Sequence, residues 1–191
     1  EMRKYLGKPF PLEQARDMLR YANRIGMWTI STNILGFPYE TREQIDDTIR
    51  FNQRSGTDFA AFYLLVPHVT SDVYKEFRKE GLLNFDSLFT GGPINDEEFE
   101  RMIRMINDGG TNTVNFTAEE LKTIQMPAYR RFILYRAAGY LLNPLHLLRK
   151  IRSWEDFRYT MRLVFTGFHI LLGTFQSKTT KKLLYSDLAT E

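Results

Sequence analysis

Apolar positions recur at helical spacing over Pro11–Ile25, where Leu12, Ala15, Met18, Leu19, Ala22 and Ile25 share a face and Gly26 supplies a stop. Pro11 suits a first helical position, whose N–H has no intrahelical partner. The pattern then changes. Met27–Leu35 is β-branched and aromatic and predicts a buried strand, broken by a turn over Gly36–Glu40. Thr41 and Gln44 stand at capping-box spacing, opening a second helix with Ile45, Thr48, Ile49 and Asn52 on one face and Gly56 at its end. Phe59–Val66 predicts a second buried strand, ended by Pro67. Ser71 opens a short helix through Tyr74, Phe77 and Arg78, stopped by Gly81.

Both strand segments are nearly uninterrupted apolar runs, the pattern of strands covered on both faces in a parallel sheet. Helix, strand, helix, strand, helix in so short a span is too little sheet to close a barrel. The expected fold is therefore α/β, the C-terminal half of a partial (βα) barrel, followed by a mostly α-helical extension. The division falls near residue 85. Beyond it, 84–93 reads as a loop, 96–106 as a helix ended by Gly109-Gly110, and 111–116 as extended. Thr117 and Glu120 form a capping box for a helix reaching about Ala138, which Pro127 should kink or split. Asn143-Pro144 starts another helix, and Ser153 caps a last long one through Leu172 with Gly173 as its stop. Residues 174–191 form a polar tail.

The chain has 191 residues, 43% of them hydrophobic and 14% aromatic, which supports a sizeable core and excludes a disordered composition. Net charge is +3 and the pI about 9.1, too mild an excess for a dedicated nucleic-acid binder. There is no cysteine, so the chain itself holds no disulfide, thiolate nucleophile or cysteine-ligated cluster. No apolar run has the length of a membrane span, and Glu1–Tyr5 has no signal-peptide core. The start reads as a cut inside a longer, cytoplasmic protein.

Ligands of parallel α/β folds bind beyond the C-terminal ends of strands, which directs attention to Gly36-Phe37-Pro38-Tyr39-Glu40. A glycine there lets backbone approach a ligand, Phe37 and Pro38 can offer apolar surface to a flat ring, and Glu40 can accept a hydrogen bond. The alternative is a plain strand-to-helix turn with a carboxylate near a helix N-terminus. Asn33 either points into the barrel toward a ligand or is a satisfied core polar group. His68 lies at a strand rim and is either a substrate contact or an ordinary loop histidine. His146 and His169 have no partner histidine at ligand spacing. Glu43, Asp46 and Asp47 beside Arg42 and Arg50 read as a solvated helix face.

The run Ile34-Leu35-Gly36-Phe37-Pro38-Tyr39-Glu40-Thr41-Arg42-Glu43-Gln44-Ile45, following Gly26-Met27, resembles the GFPGET-containing strand and helix of radical S-adenosylmethionine enzymes, nearest to those with a cobalamin-binding domain. Leu64-Leu65-Val66-Pro67-His68 with Tyr74, and Glu80-Gly81-Leu82-Leu83, resemble the next strand, loop and helix of that family. Tyr129-Arg130-Arg131-Phe132 and the basic helix after Pro144 resemble its C-terminal extension. The resemblance implies that residues 1–85 are the C-terminal portion of the barrel and 86–191 the extension. It implies a parent enzyme that cleaves S-adenosylmethionine reductively with a [4Fe–4S] cluster to start methylation, cyclisation or rearrangement. It implies S-adenosylmethionine contacts at Gly36, Phe37, Pro38, Glu40 and Pro67, and Asn33 and His68 as substrate-facing candidates. Cluster ligands and any cobalamin domain would lie outside this chain, so the fragment alone would be inactive. Two departures stand out: Tyr39 replaces the family's glycine, and Pro67-His68-Val69-Thr70-Ser71 lacks the glycine of the usual PYPGT loop.

The last helices carry many arginines among Phe, Leu and Trp. They pack on the barrel with a basic outer face, or contact a membrane surface peripherally, or bind nucleic acid, the reading that the modest charge disfavours. The alternative to an enzyme is a non-catalytic module whose basic amphipathic helices contact a membrane or a protein partner. The expected substrate is a small or lipid-like molecule, and the open sheet edge of a half barrel predicts self-association.

Overall fold

The computed structural model describes residues 2–8, 10–68, 71–83 and 111–173. The described elements are α1 (Met2–Tyr5), α2 (Leu12–Arg24), β1 (Ile30–Leu35), α3 (Arg42–Ser55), β2 (Phe59–Leu64), α4 (Asp72–Lys79), α5 (Ala118–Leu142), α6 (Pro144–Leu148) and α7 (Trp154–Leu172). The protein is mixed α/β and mostly helical, with a two-stranded parallel sheet.

Helix starts follow their caps. The Thr41 hydroxyl accepts from the Gln44 N–H while the Gln44 side chain accepts from the Thr41 N–H, and Thr117 with Glu120 and Ser153 with Asp156 repeat the arrangement on α5 and α7. Ser71 caps α4 through the Tyr74 N–H. Pro11 is one residue outside its helix, an extended N-cap of α2 rather than its first residue. α5 runs through Pro127 to Leu142, beyond the expected end near Ala138, so that of the two effects expected of Pro127, a kink or a split, the split does not occur. The proline lies on the exposed side of a helix whose Leu121, Ile124, Ala128 and Phe132 are buried, and this packing holds the helix across the missing backbone bond.

β1 and β2 run parallel with Ile30 opposite Phe59 and Leu35 opposite Leu64. β1 is shorter than expected, since Met27–Thr29 lie outside the ladder. The two faces of the sheet differ, contrary to the expectation of strands covered on both. Leu35, Ala60, Phe62 and Leu64 point toward the helices and join Ile45 and Ile49 of α3 with Leu121, Ile124, Ala128 and Phe132 of α5 in one core. Residues on either side of position 85 thus share that core. On the opposite face Ile30, Ile34 and Tyr63 are 63%, 47% and 54% exposed. An apolar run cannot distinguish a doubly buried strand from one whose second face is apolar and open.

The side of β2 away from β1 is closed by side chains. The Phe62 N–H donates to the Tyr129 hydroxyl at 2.9 Å, and the Phe62 carbonyl accepts from Gln125 Nε2 at 2.6 Å and from Tyr129 at 3.2 Å. N–H and C=O of one residue in a parallel strand point to the same side, so α5 occupies the hydrogen-bonding edge at its centre. Edge pairing between copies, expected from the sequence, has no free edge at this point of β2.

Residues 111–116 are not extended. They fold into a tight turn in which the Thr113 hydroxyl accepts from the Asn115 and Phe116 N–H groups and the Thr113 N–H donates to the Phe116 carbonyl. A threonine-centred turn of this kind competes with a strand and is hard to read from β propensity. The expected loop over 84–93, helix over 96–106, glycine stop at 109–110 and tail over 174–191 lie outside the described residues.

Candidate functional site

The parallel register brings the two segments singled out by the sequence to one end of the sheet. Leu35 and Leu64 are partners, the Leu65 N–H continues the ladder to the Leu35 carbonyl at 2.8 Å, and Gly36–Glu40 therefore leaves the sheet beside Leu65–His68. This is the C-terminal rim of both strands, where ligands of parallel sheets gather.

The turn after β1 is built by its own residues. Gly36 has φ +90°, and a Cβ there would come within 2.8 Å of the Leu121 side chain of α5. Both facts require glycine: the left-handed backbone and the close approach of α5. Glu40, 2% exposed, turns its carboxylate inward to accept from the Gly36 N–H at 2.6 Å and the Phe37 N–H at 3.4 Å. Burial pushes this carboxyl above its ordinary value, opposed by the two backbone donors. Glu40 thus shapes the rim, its Oε2 accepting from backbone. Phe37 and Pro38, expected to offer flat surface to a ring, are both buried, Phe37 lying edge-on to Tyr5 of α1 with centroids 6.4 Å apart. Tyr39, the departure from the family's glycine, needs no left-handed backbone, because no described non-glycine residue has positive φ. Its hydroxyl donates to Glu80 at 2.8 Å and ties the turn to the end of α4.

A second segment grips the turn. The Val114 N–H donates to the Pro38 carbonyl at 3.0 Å, and the Asn115 amide donates to the Glu40 carbonyl at 3.1 Å and the Tyr39 carbonyl at 3.4 Å. Nothing in the local sequence of 111–116 marks these residues as partners of a turn seventy-five positions earlier. Their signal is only the compact Thr-Asn-Thr-Val-Asn pattern of a polar turn.

The remaining sequence candidates divide. Pro67 is buried at the rim and His68 is exposed there, its carbonyl accepting from the Ser71 N–H and hydroxyl at the start of α4. Asn33 lies on the helix side of β1. Its amide exchanges hydrogen bonds with Asn52 of α3 and donates to the Ala61 carbonyl at 3.1 Å, while Ser31 donates to Asn52. Its amide is thus hydrogen-bonded within the protein through both nitrogen and oxygen. The residues of β1 and β2 presented on the open face near the rim are instead Ile34 and Tyr63, register partners on adjacent strands. Strand alternation relative to the buried Leu35 and Leu64 is the signal that identifies them.

A buried charge cluster sits at the other end of the sheet, about 17–20 Å away along six-residue strands. Asp58, just before β2, accepts from Lys150 Nζ at 2.6 Å, the Tyr140 hydroxyl at 2.6 Å, the Thr29 N–H and hydroxyl at 2.9 Å, and Arg136 at 3.3 Å. Burial alone would raise its carboxyl, but these donors more than offset it and hold it below the ordinary range. Burial lowers Lys150, opposed by Asp58, and pushes Tyr140 up to about 12. Among the described residues no group of three or more His, Cys, Asp or Glu could hold a metal ion, and the chain has no cysteine to ligate a cluster. No described helix is long and apolar enough to cross a membrane.

No family model matches the chain, and no solved structure matches it. It is similar to an uncharacterized methyltransferase of Pyrococcus horikoshii, at 25% identity over 133 residues, which is 68% of this chain and 26% of that protein. The aligned region thus spans about a quarter of the relative's length.

Proposed function

We propose that this chain is the C-terminal part of an S-adenosylmethionine-dependent enzyme of the radical type, and that its strand rim forms one wall of the nucleoside site. The observation that carries the reading is the register: the Gly36–Glu40 turn and the Leu65–His68 segment leave adjacent parallel strands side by side. The resemblance of Gly36-Phe37-Pro38-Tyr39-Glu40 and Val66-Pro67 to the family's rim segments supports it, as does the likeness to a methyltransferase. The asymmetry of the sheet supports a partial barrel. β2 reads as its terminal strand because α5 closes its outer edge, whereas β1 and the open face at Ile30, Ile34 and Tyr63 are where further strands would pair and curve.

In this reading the chain's residues act by shape. Glu40 holds Gly36 and Phe37, Asn115 and Val114 hold the turn from outside, and Ile34 with Tyr63 presents an apolar surface on which a purine ring can lie. S-adenosylmethionine, when bound, would supply a transferable methyl group or, on reductive cleavage, the 5′-deoxyadenosyl group that takes a hydrogen atom and leaves as 5′-deoxyadenosine. The chain offers no thiolate for a [4Fe–4S] cluster, so cluster ligands and any cobalamin domain would belong to the rest of the protein. The test is calorimetric titration of the full-length protein with S-adenosylmethionine. Ile34→Asp and Tyr63→Ala are expected to weaken binding at least tenfold with an unchanged melting temperature, and unchanged affinity in both variants would contradict the assignment.

A further inference from the structure

An amphipathic helix of a globular protein ordinarily turns its apolar stripe to the core. α7 does the reverse. Trp154, Phe157, Met161, Val164, Phe168 and Leu172 recur at intervals of three and four residues, hence on one face, and each is 40–67% exposed. The helix is fixed by its other sides: Tyr159 meets Trp28 and Phe59 edge-on, Thr160 is buried, Gly167 faces Ile133 of α5, and Arg130 donates to the Ile170 carbonyl at 3.1 Å. The outward stripe is therefore a consequence of how α7 is held, and it is rich in the large aromatic side chains that favour a membrane interface.

Charge identifies what covers it. Residues 130–173 contain eight Lys or Arg against two acidic residues, a net +6, which leaves −3 for the rest of a chain carrying +3 overall. Arg158 and Arg162, both exposed, follow one edge of the stripe at i and i+4. Arginines there can reach up to phosphates while the aromatic face lies below the headgroups. A protein partner would need a complementary apolar groove rimmed with acid. An anionic bilayer supplies both features without further fitting, and the helix is too polar to cross one. We infer that α7 is an in-plane membrane-contact helix that holds the protein on an anionic lipid surface through its Trp154–Leu172 stripe and the flanking Arg158 and Arg162. The inference does not depend on the proposed activity.

The test is co-sedimentation of the full chain with vesicles of phosphatidylcholine alone or mixed equally with phosphatidylglycerol. Expected are binding to the mixed vesicles, little to the neutral ones, and release at high salt. Val164→Asp with Phe168→Asp, both at exposed positions, is expected to abolish binding with an unchanged circular dichroism melt. Arg158→Gln is expected to weaken it about fivefold, the effect of one arginine near an anionic surface. A second readout is quenching of Trp154 fluorescence by lipids brominated in the acyl chain, lost in Trp154→Phe. Absence of binding to mixed vesicles, binding indifferent to the paired Asp substitution, or a vesicle-free dimer that the same substitution dissolves would each overturn the inference, the last by assigning the stripe to a second copy.

Discussion

Lys150→Met removes the single ammonium that is buried against Asp58. In the native protein Lys150 is 1% exposed; its Nζ donates to Asp58 at 2.6 Å and to the Met27 carbonyl at 2.8 Å and lies 5.1 Å from the centre of the Trp28 ring. Breaking one side of a buried ion pair costs about 3–5 kcal/mol, chiefly because the other charge stays buried. Asp58 would retain Arg136, Tyr140 and Thr29, so the lower end, about 3 kcal/mol, is expected. For a chain of this size that corresponds to a melting temperature lower by roughly 6–12 °C. Asp58→Asn should cost a similar amount, and the double variant less than the sum of the two by about 0.5–3 kcal/mol. Asp58 is held below its ordinary value of 3.8, so the stability it contributes is present above that value and is lost as pH falls through the lower folded value. Asp58→Asn should therefore flatten the acid limb of the stability profile. Urea denaturation followed by Trp28 fluorescence reads all of this at the site. A cost below about 1 kcal/mol for Lys150→Met, the range of exposed pairs, or strict additivity of the two variants, would refute the reasoning.

Glu40→Ala should cost about 1–3 kcal/mol by leaving the buried Gly36 N–H without its acceptor. Glu40→Gln keeps an acceptor and should cost less; because the native carboxyl is raised, wild type loses stability as pH rises from below 4.5 through its folded value, and this slope should vanish in the variant on urea titration at several pH values. Tyr129→Phe removes the hydroxyl that accepts from the Phe62 N–H, and should destabilise the protein by about 1–3 kcal/mol and raise the dimer fraction in sedimentation velocity as the β2 edge is released.

The elements that the sequence announces have local causes. Thr41 with Gln44, Thr117 with Glu120 and Ser153 before α7 mark helix starts because a capping hydroxyl and its reciprocal partner sit within four residues. The Gly36–Glu40 turn is legible for the same reason. What it does is less so: the residues allow either a ligand contact, which the resemblance implies, or a plain strand-to-helix turn, and the contacts of this turn with Tyr5, Val114, Asn115 and Leu121 come from distant segments that no local pattern announces. The open face of the sheet is hard to read because Ile30 and Ile34 are as apolar as the buried Leu35 of the same strand, and Tyr63 stands between the buried Phe62 and Leu64. The Asp58–Lys150 pair joins residues ninety-two positions apart, and no spacing rule links them. The closing of β2 by Gln125 and Tyr129 is equally nonlocal, since both read as ordinary positions of a helix.

The most direct test of the proposed activity is anaerobic reconstitution of the full-length protein with iron and sulfide, followed by chromatography of its products after incubation with S-adenosylmethionine and a strong reductant. Reductant-dependent release of 5′-deoxyadenosine, abolished by Ile34→Asp, is the expected result. A protein that takes up no iron–sulfur cluster and releases no 5′-deoxyadenosine would contradict the radical assignment and leave only the α/β fold and its rim.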